Sequence, residues 1–255
     1  MSTPTLDLIH RHGSVRKYKP DPVPVETIET IVAAAQRSST SSNLQLWSVV
    51  AVTDASKRAR LAELCGNQEH VAQAPVMLAW CADLARLDRA CELRGYTQVA
   101  DYVENFLVAA VDVAIAAQTA ALAAEALGLG ICYIGSLRNN TAAVIELLGL
   151  PRLVFPIVGL TVGWPVAAPL VRPRLPLAAV LHWESYDPQP KDVELADYDR
   201  VMAATGIYGD RQVPVPGKPG EMADYGWTEH SARRAAQALR VEMRMVLERQ
   251  GFELK

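Results

Sequence analysis

Residues Gln98 to Leu127 read QVADYVENFLVAAVDVAIAAQTAALAAEAL. Alanine and larger apolar residues recur all round this segment, which predicts a helix of about eight turns. A helix apolar on every side belongs in a core. Its longest apolar stretch, Leu107 to Ala124, is broken by Asp112, Gln118 and Thr119. That favours a buried helix over a membrane span. The segment is therefore expected to be the central core helix.

On its C-terminal side, Ile131–Ile134 reads as a short strand, and Asn139 and Asn140 as caps for a helix through Leu148. Val154–Val162 and Ala178–Trp183 read as two more strands. On the N-terminal side, Val76–Ala82 and the β-branched Trp47–Thr53 are strands, with a helix over Lys57–Cys65 between them. Ile28, Ile31 and Val32 recur at helical spacing in Val25–Arg37, which runs into Ser38–Ser42. A short amphipathic helix over Leu6–His12 and an irregular stretch, Gly13–Pro24, begin the chain. Beyond Tyr186 the composition changes: a short helix over Asp192–Ala203, a Gly- and Pro-rich loop over Thr205–Gly226, and a final amphipathic helix over Trp227–Gln250. Loops of that length are functional or mobile. The helix–strand alternation predicts an α/β or α+β core over residues 1–186. Residues 187–255 form an excursion belonging to the same domain.

The 255 residues are 50% apolar and 21% charged, with formal net charge −3 and no basic run. Nothing in that balance favours a nucleic acid, and no secretory signal or membrane span is read, so the cytoplasm is the expected compartment. The four cysteines stand far apart without zinc-type spacing. A Walker A lysine is missing, Gly128-Leu-Gly130 lacks the third glycine of a dinucleotide fingerprint, and there is no G-x-S-x-G elbow. His10 and His12 lack nearby carboxylates and a third histidine, so no metal site is expected. Redox chemistry on a bound cofactor remains, because there the protein supplies placement and polarity rather than a reacting side chain.

Four distant segments carry a signal. His12-Gly-Ser14-Val-Arg16 places cation, hydroxyl and cation on alternate residues, which an extended strip would point to one side. The serine run continues into Asn43 and Gln45. In Tyr133-Ile134-Gly135-Ser136-Leu137-Arg138, Gly135 lets backbone approach a flat ligand. Arg172-Pro-Arg174-Leu-Pro176 holds two arginines rigid. Singly, these read as surface cations, a helix-end loop and a turn. Together they suit a phosphorylated, planar cofactor.

The chain resembles the nitroreductase superfamily, in particular the larger oxygen-insensitive NADPH nitroreductases and the NADPH–flavin oxidoreductases. The resemblance runs through H-x-S-x-R at His12–Arg16, S-S-x-L-Q at Ser41–Gln45 and G-x-Q-x-H-V-A-Q-A at Gly66–Ala74. It continues through E-x-L-G-L-G and Y-I-G-x-L-R-N-N over Glu125–Asn140, G-W-P at Gly163–Pro165, and P-R-L-P ending at Pro176. It implies an α+β fold, a three-layer α/β/α sandwich on a central antiparallel or mixed sheet. An obligate homodimer would form through long helices, with FMN at each of two interfaces and the C-terminal helix embracing the partner.

By the same resemblance His12, Ser14, Arg172 and Arg174 would hold the FMN phosphate. Arg16 would sit at the N1/O2 edge of the ring and favour its reduction. Thr40, Ser41, Ser42 and Gln45 would line the ribityl chain and ring, and Gln68 the pyrimidine edge. Ile134, Gly135 and Ser136 complete the cofactor set, the backbone N–H groups around Gly135 and Ser136 facing flavin N5. Arg138, Arg211, Lys218 and Arg240 would serve the nicotinamide nucleotide, NADPH or else NADH. No side chain need be catalytic and no metal is implied. The implied reaction is ping-pong hydride transfer to nitroaromatics, quinones or flavins. Alternatives are a dedicated reductase supplying FMN to a monooxygenase, and a flavin-binding protein without turnover. The chain departs from the family at Gly13, where Arg is frequent, at Asn43 for Phe, at Ser136 for Gly, and in its long 205–226 loop.

Overall fold

The computed structural model describes residues 2–255. In chain order its first elements are α1 (Pro4–His10), α2 (Val25–Ala35), β1 (Trp47–Val52), α3 (Ala55–Leu64), α4 (Glu69–Gln73), β2 (Val76–Asp83), α5 (Ala85–Arg94) and α6 (Val103–Ala126). There follow β3 (Gly130–Ile134), α7 (Thr141–Leu148), β4 (Val154–Gly163), α8 (Asp192–Ala204), β5 (Gln212–Pro214), β6 (Met222–Asp224), α9 (Trp227–Ala235) and α10 (Met243–Arg249).

Every residue of β2 is buried, which requires cover on both faces of the sheet. Val76, Leu78, Trp80 and Ala82 pack in one cluster with Ile28 and Ile31 of α2 and the alanine face of α6. Met77 and Ala79 pack in a second with Leu61 and Leu64 of α3, Val71 of α4 and Val144 of α7. Alternation along one strand thus feeds two helical layers, the three-layer α+β sandwich expected. The four strands run β1-β2-β4-β3, all neighbours antiparallel.

Helix α6 begins at Val103 rather than Gln98, and only one side of it meets the expectation of a buried helix. Ala109, Val113, Ala116, Ala120 and Ala124 are sealed in the core, whereas Val103, Leu107, Val111 and Ile115, four residues apart, are exposed. By length and composition it could cross a membrane.

Three expectations are corrected. Ala178–Trp183 is no strand: after Pro176 the chain makes a short 3-10 turn, Leu177–Ala179, and Leu181 and Trp183 are exposed with no partner strand among the described residues. The final helix is broken into α9 and α10, with Arg240 between them in the left-handed region at φ 55°. The 205–226 loop contains a β5–β6 hairpin with Gly217 and Gly220 at its turn.

The chain divides into two compact units: everything up to Val171 together with Arg240–Lys255, and Arg172–Leu239. The boundary expected after residue 186 falls inside the second unit, and the last sixteen residues, α10 included, belong to the first.

Candidate functional site

Strand β3 lies at the sheet edge, and the His12–Arg16 strip runs beside it. Val15 N–H donates to the Ile131 carbonyl at 2.8 Å, and Lys19 N–H to that of Trp164 at 2.8 Å. Gly13 and Val15 are buried while Ser14 and Arg16 are exposed, the alternation an extended segment imposes. A Cβ on Gly13 would stand 2.7 Å from the Leu170 carbonyl oxygen, which explains the absence of a larger residue there. His12 is half-buried, its Nδ1 2.6 Å from Glu125 Oε1 on α6.

Where β3 ends, the chain enters a 3-10 turn, Gly135–Arg138. The nearest atom to a Cβ built on Gly135 is Arg138 Nη2 at 4.0 Å, so the space in front of this backbone is open enough for a flat group. Ile134 is sealed in the core, so only its backbone can meet a ligand. Ser136 Oγ accepts from Gln68 Nε2 at 2.6 Å, and the same amide nitrogen donates to the Cys65 carbonyl at 3.0 Å. A carbonyl accepts only, which fixes the amide orientation and leaves Gln68 Oε1 as the acceptor presented outward. Burial pushes the Cys65 thiol up to about 11, against a weaker opposing effect of the Ser136 hydrogen bond, so it is no nucleophile. Burial, then the charge of Arg16, holds the His70 imidazole below the usual histidine value. His70 Nε2 is buried without a hydrogen-bond partner.

The serine segment forms an exposed loop with a buried root. Ser42, Asn43 and Gln45 have φ of 48°, 57° and 55°. Such backbone costs about 1 kcal/mol or more per residue and persists only where the surroundings enforce it. Asp112 of α6, 1% exposed, does so: it accepts from Ser41 N–H at 3.0 Å, from Leu46 N–H at 3.1 Å and from the Thr40 hydroxyl. Thr40 Oγ1 accepts from Gln45 N–H at 2.8 Å. The Thr40 hydroxyl proton is therefore committed to the loop's root, whereas Ser41, Ser42 and Gln45 remain exposed.

Arg138 and Arg240 line a cavity of about 460 Å³ with Asn139, Asn140 and the first turn of α7. Burial and the nearby Arg240 lower the Arg138 pKa. Two guanidiniums on one cavity, beside a helix N-terminus, favour an anion. Arg240 Nε donates to Asn139 Oδ1 at 3.1 Å. Asn140 stands at the N-cap of α7 without capping it; its Nδ2 donates to the Leu64 carbonyl at 2.8 Å.

Within the second unit Arg172, Arg174 and Arg211 line a cavity of about 450 Å³ with Tyr198, Tyr208, Trp227 and His230. Arg174 Nη1 donates to the Arg172 carbonyl at 2.9 Å, and Arg211 lies 4.3 Å from the centre of the Tyr225 ring. Lys218 is not in this cavity; it pairs with Glu221 at 3.0 Å across the hairpin tip.

Sequence reasoning passed over the roles of Asp112, Glu125 and His70. A carboxylate interrupting the apolar stretch Leu107–Ala124 was the available signal for Asp112, and the other two lay inside the E-x-L-G-L-G and G-x-Q-x-H-V-A-Q-A motifs.

Residues 9–164 match the Nitroreductase family, and residues 172–255 the Nitroreductase family, C-terminal domain. The chain is 38% identical over 249 residues to a "CR(VI) reductase" of a Pseudomonas species, covering 98% of this chain and 99% of that protein. It is 41% identical over 201 residues to an oxygen-insensitive NADPH nitroreductase of Salmonella typhimurium, covering 79% and 82%. The solved NADPH:FMN oxidoreductase from Vibrio harveyi, complexed with NAD+, superposes with a TM-score of 0.86 at 35% identity over 99% of this chain and 100% of that one.

Proposed function

The chain belongs to the nitroreductase family, and on that premise we propose how its residues serve the family's chemistry. It is an NAD(P)H-dependent FMN oxidoreductase. When bound, FMN would supply hydride exchange between NADPH and a small acceptor such as a nitroaromatic, quinone or flavin.

The observation that supports our residue roles is the organisation of β3. Its edge carries the His12–Arg16 strip and its end carries the open turn at Gly135, joined to Gln68 through Ser136. A phosphate-binding strip and a surface for a flat ring thus share one rigid strand. His12 and Ser14 hold the phosphate from the first unit, while Arg172 and Arg174 offer their cations to the cavity of the second. Ser41, Ser42 and Gln45 line the ribityl chain and ring from the left-handed loop. Gln68 offers its oxygen to the N–H of the pyrimidine edge. The Arg16 guanidinium would hold a positive charge beside the ring and so favour its reduction. Backbone at Gly135 and Ser136 would lie against the ring, in the open space before Gly135. Arg138 and Arg240 bind phosphate of the nicotinamide nucleotide; Arg211 lines the separate cavity of the second unit, and Lys218 is engaged with Glu221. No side chain need act as acid or base. The fit of FMN rests on the open space over Gly135 and on the exposed hydroxyl and amide groups of Ser14, Ser41, Ser42 and Gln45.

We further propose a homodimer, because the exposed apolar stripe of α6 is a surface that water covers poorly and a second copy would cover well.

Steady-state assays of FMN-reconstituted protein with NADPH test this reading. NADPH-dependent consumption of nitrofurazone without added flavin is expected. Turnover of free FMN alone would instead make the enzyme a dedicated flavin reductase, and failure to take up FMN would defeat both readings.

A further inference from the structure

Helix α6 carries two inward carboxylates, Asp112 buried and Glu125 nearly so, that the proposed chemistry leaves without work. Asp112 pairs with no cation among the described residues; its three donors are two backbone N–H groups and the hydroxyl at the root of the 40–46 loop. A buried anion is an expensive way to close a surface loop, tolerated only when fully hydrogen-bonded. It is understandable if the loop's left-handed shape must be set before a ligand arrives. Glu125, thirteen residues along the helix, has an 11% exposed side chain and meets His12 at 2.6 Å. A carboxylate accepts only, so His12 Nδ1 carries the hydrogen and Nε2 is left for another partner. The second oxygen of Glu125 is buried and makes no hydrogen bond.

We propose that α6 is the template on which both ends of the FMN cradle are set. Asp112 is a positioning residue for the ring-and-ribityl end, through the 40–46 loop, and Glu125 is one for the phosphate end, through His12. The proposal rests on the FMN reading above, and it makes opposite demands at the two ends. Riboflavin has the ring and ribityl chain but no phosphate.

Binding of FMN and of riboflavin to the apoprotein, followed by flavin fluorescence, reads both ends separately. Glu125→Leu is expected to raise the FMN Kd at least tenfold and leave riboflavin binding unchanged, so the FMN/riboflavin preference shrinks. Glu125→Gln, which keeps an acceptor for Nδ1–H, is expected to restore part of that preference. Asp112→Asn is expected to weaken both flavins by the same factor, at least tenfold, and to shift the visible bands of bound FMN. Thr40→Val should reproduce it and Thr40→Ser should not; this pair carries the test should Asp112→Asn fold poorly. Equal loss of both flavins in Glu125→Leu, or a lowered melting temperature with unchanged affinities and spectrum in Asp112→Asn and Thr40→Val, would overturn the template. A wild-type protein that bound neither flavin would instead refute the cofactor assignment beneath it.

Discussion

Arg16 of the strip and His70 of α4 make separable demands. If the Arg16 charge contributes about 1.4 kcal/mol to the reduced ring, its loss lowers a two-electron potential by about 30 mV. Arg16→Ala is therefore expected to fold, to bind FMN, and to show a more negative midpoint in a dye-coupled redox titration; an unchanged potential would remove Arg16 from that role. His70 has a depressed pKa, from burial first and Arg16 second. Below about pH 6.5 the unfolded chain takes up a proton there that the folded chain refuses. Stability should therefore fall as pH drops from 7 towards 5, until the folded imidazole also titrates. His70→Gln should flatten that part of the urea-midpoint profile, and identical slopes would contradict the assignment. The motif residues Ser14, Arg16, Ser41, Ser42 and Gln45 were legible as exposed polar groups because extended and looped backbone displays them. Asp112 was not legible, because a sequence shows neither what a buried carboxylate faces nor that Thr40 donates to it.

The elements read well where burial has a period. Strand β2, with an uninterrupted apolar run, and α2, with its recurring isoleucines, stand close to where their patterns put them. Ala178–Trp183 misled because apolar residues at the surface of a single chain look like strand residues in a core. The final helix misled because its amphipathic pattern continues through the break, whereas Arg240 leaves helical φ/ψ altogether. Helix α7 shows that such punctuation matters: it ends at Gly149, φ 62°, with nothing within 4 Å of a Cβ built there. Gly149→Ala adds no clash, so its cost is backbone strain alone, about 1 kcal/mol. A drop of about 2–4 °C in melting temperature is expected for a protein of this size, with FMN affinity unchanged. No drop would mean that the turn relaxes freely.

Over the whole molecule, α6 faces two ways. Its alanines close the core, Asp112 and Glu125 root the candidate site, and Val103, Leu107, Val111 and Ile115 look outward. On a solvated helix Val111→Asp would change stability by no more than about 0.5 kcal/mol. Across an interface between two copies it would bury an unpaired charge. The variant is expected to sediment as a monomer and to lose FMN, while the wild type sediments as a dimer; a monomeric wild type, or a variant still dimeric, would refute the interface.

Chemistry at the β3 edge is tested most directly by mixing FMN-loaded protein with NADPH in the absence of oxygen and following visible absorbance in a stopped-flow instrument. Rapid bleaching of the flavin bands, reversed when a nitroaromatic is added, is the predicted result. Flavin that stays oxidised under excess NADPH and excess NADH would contradict it.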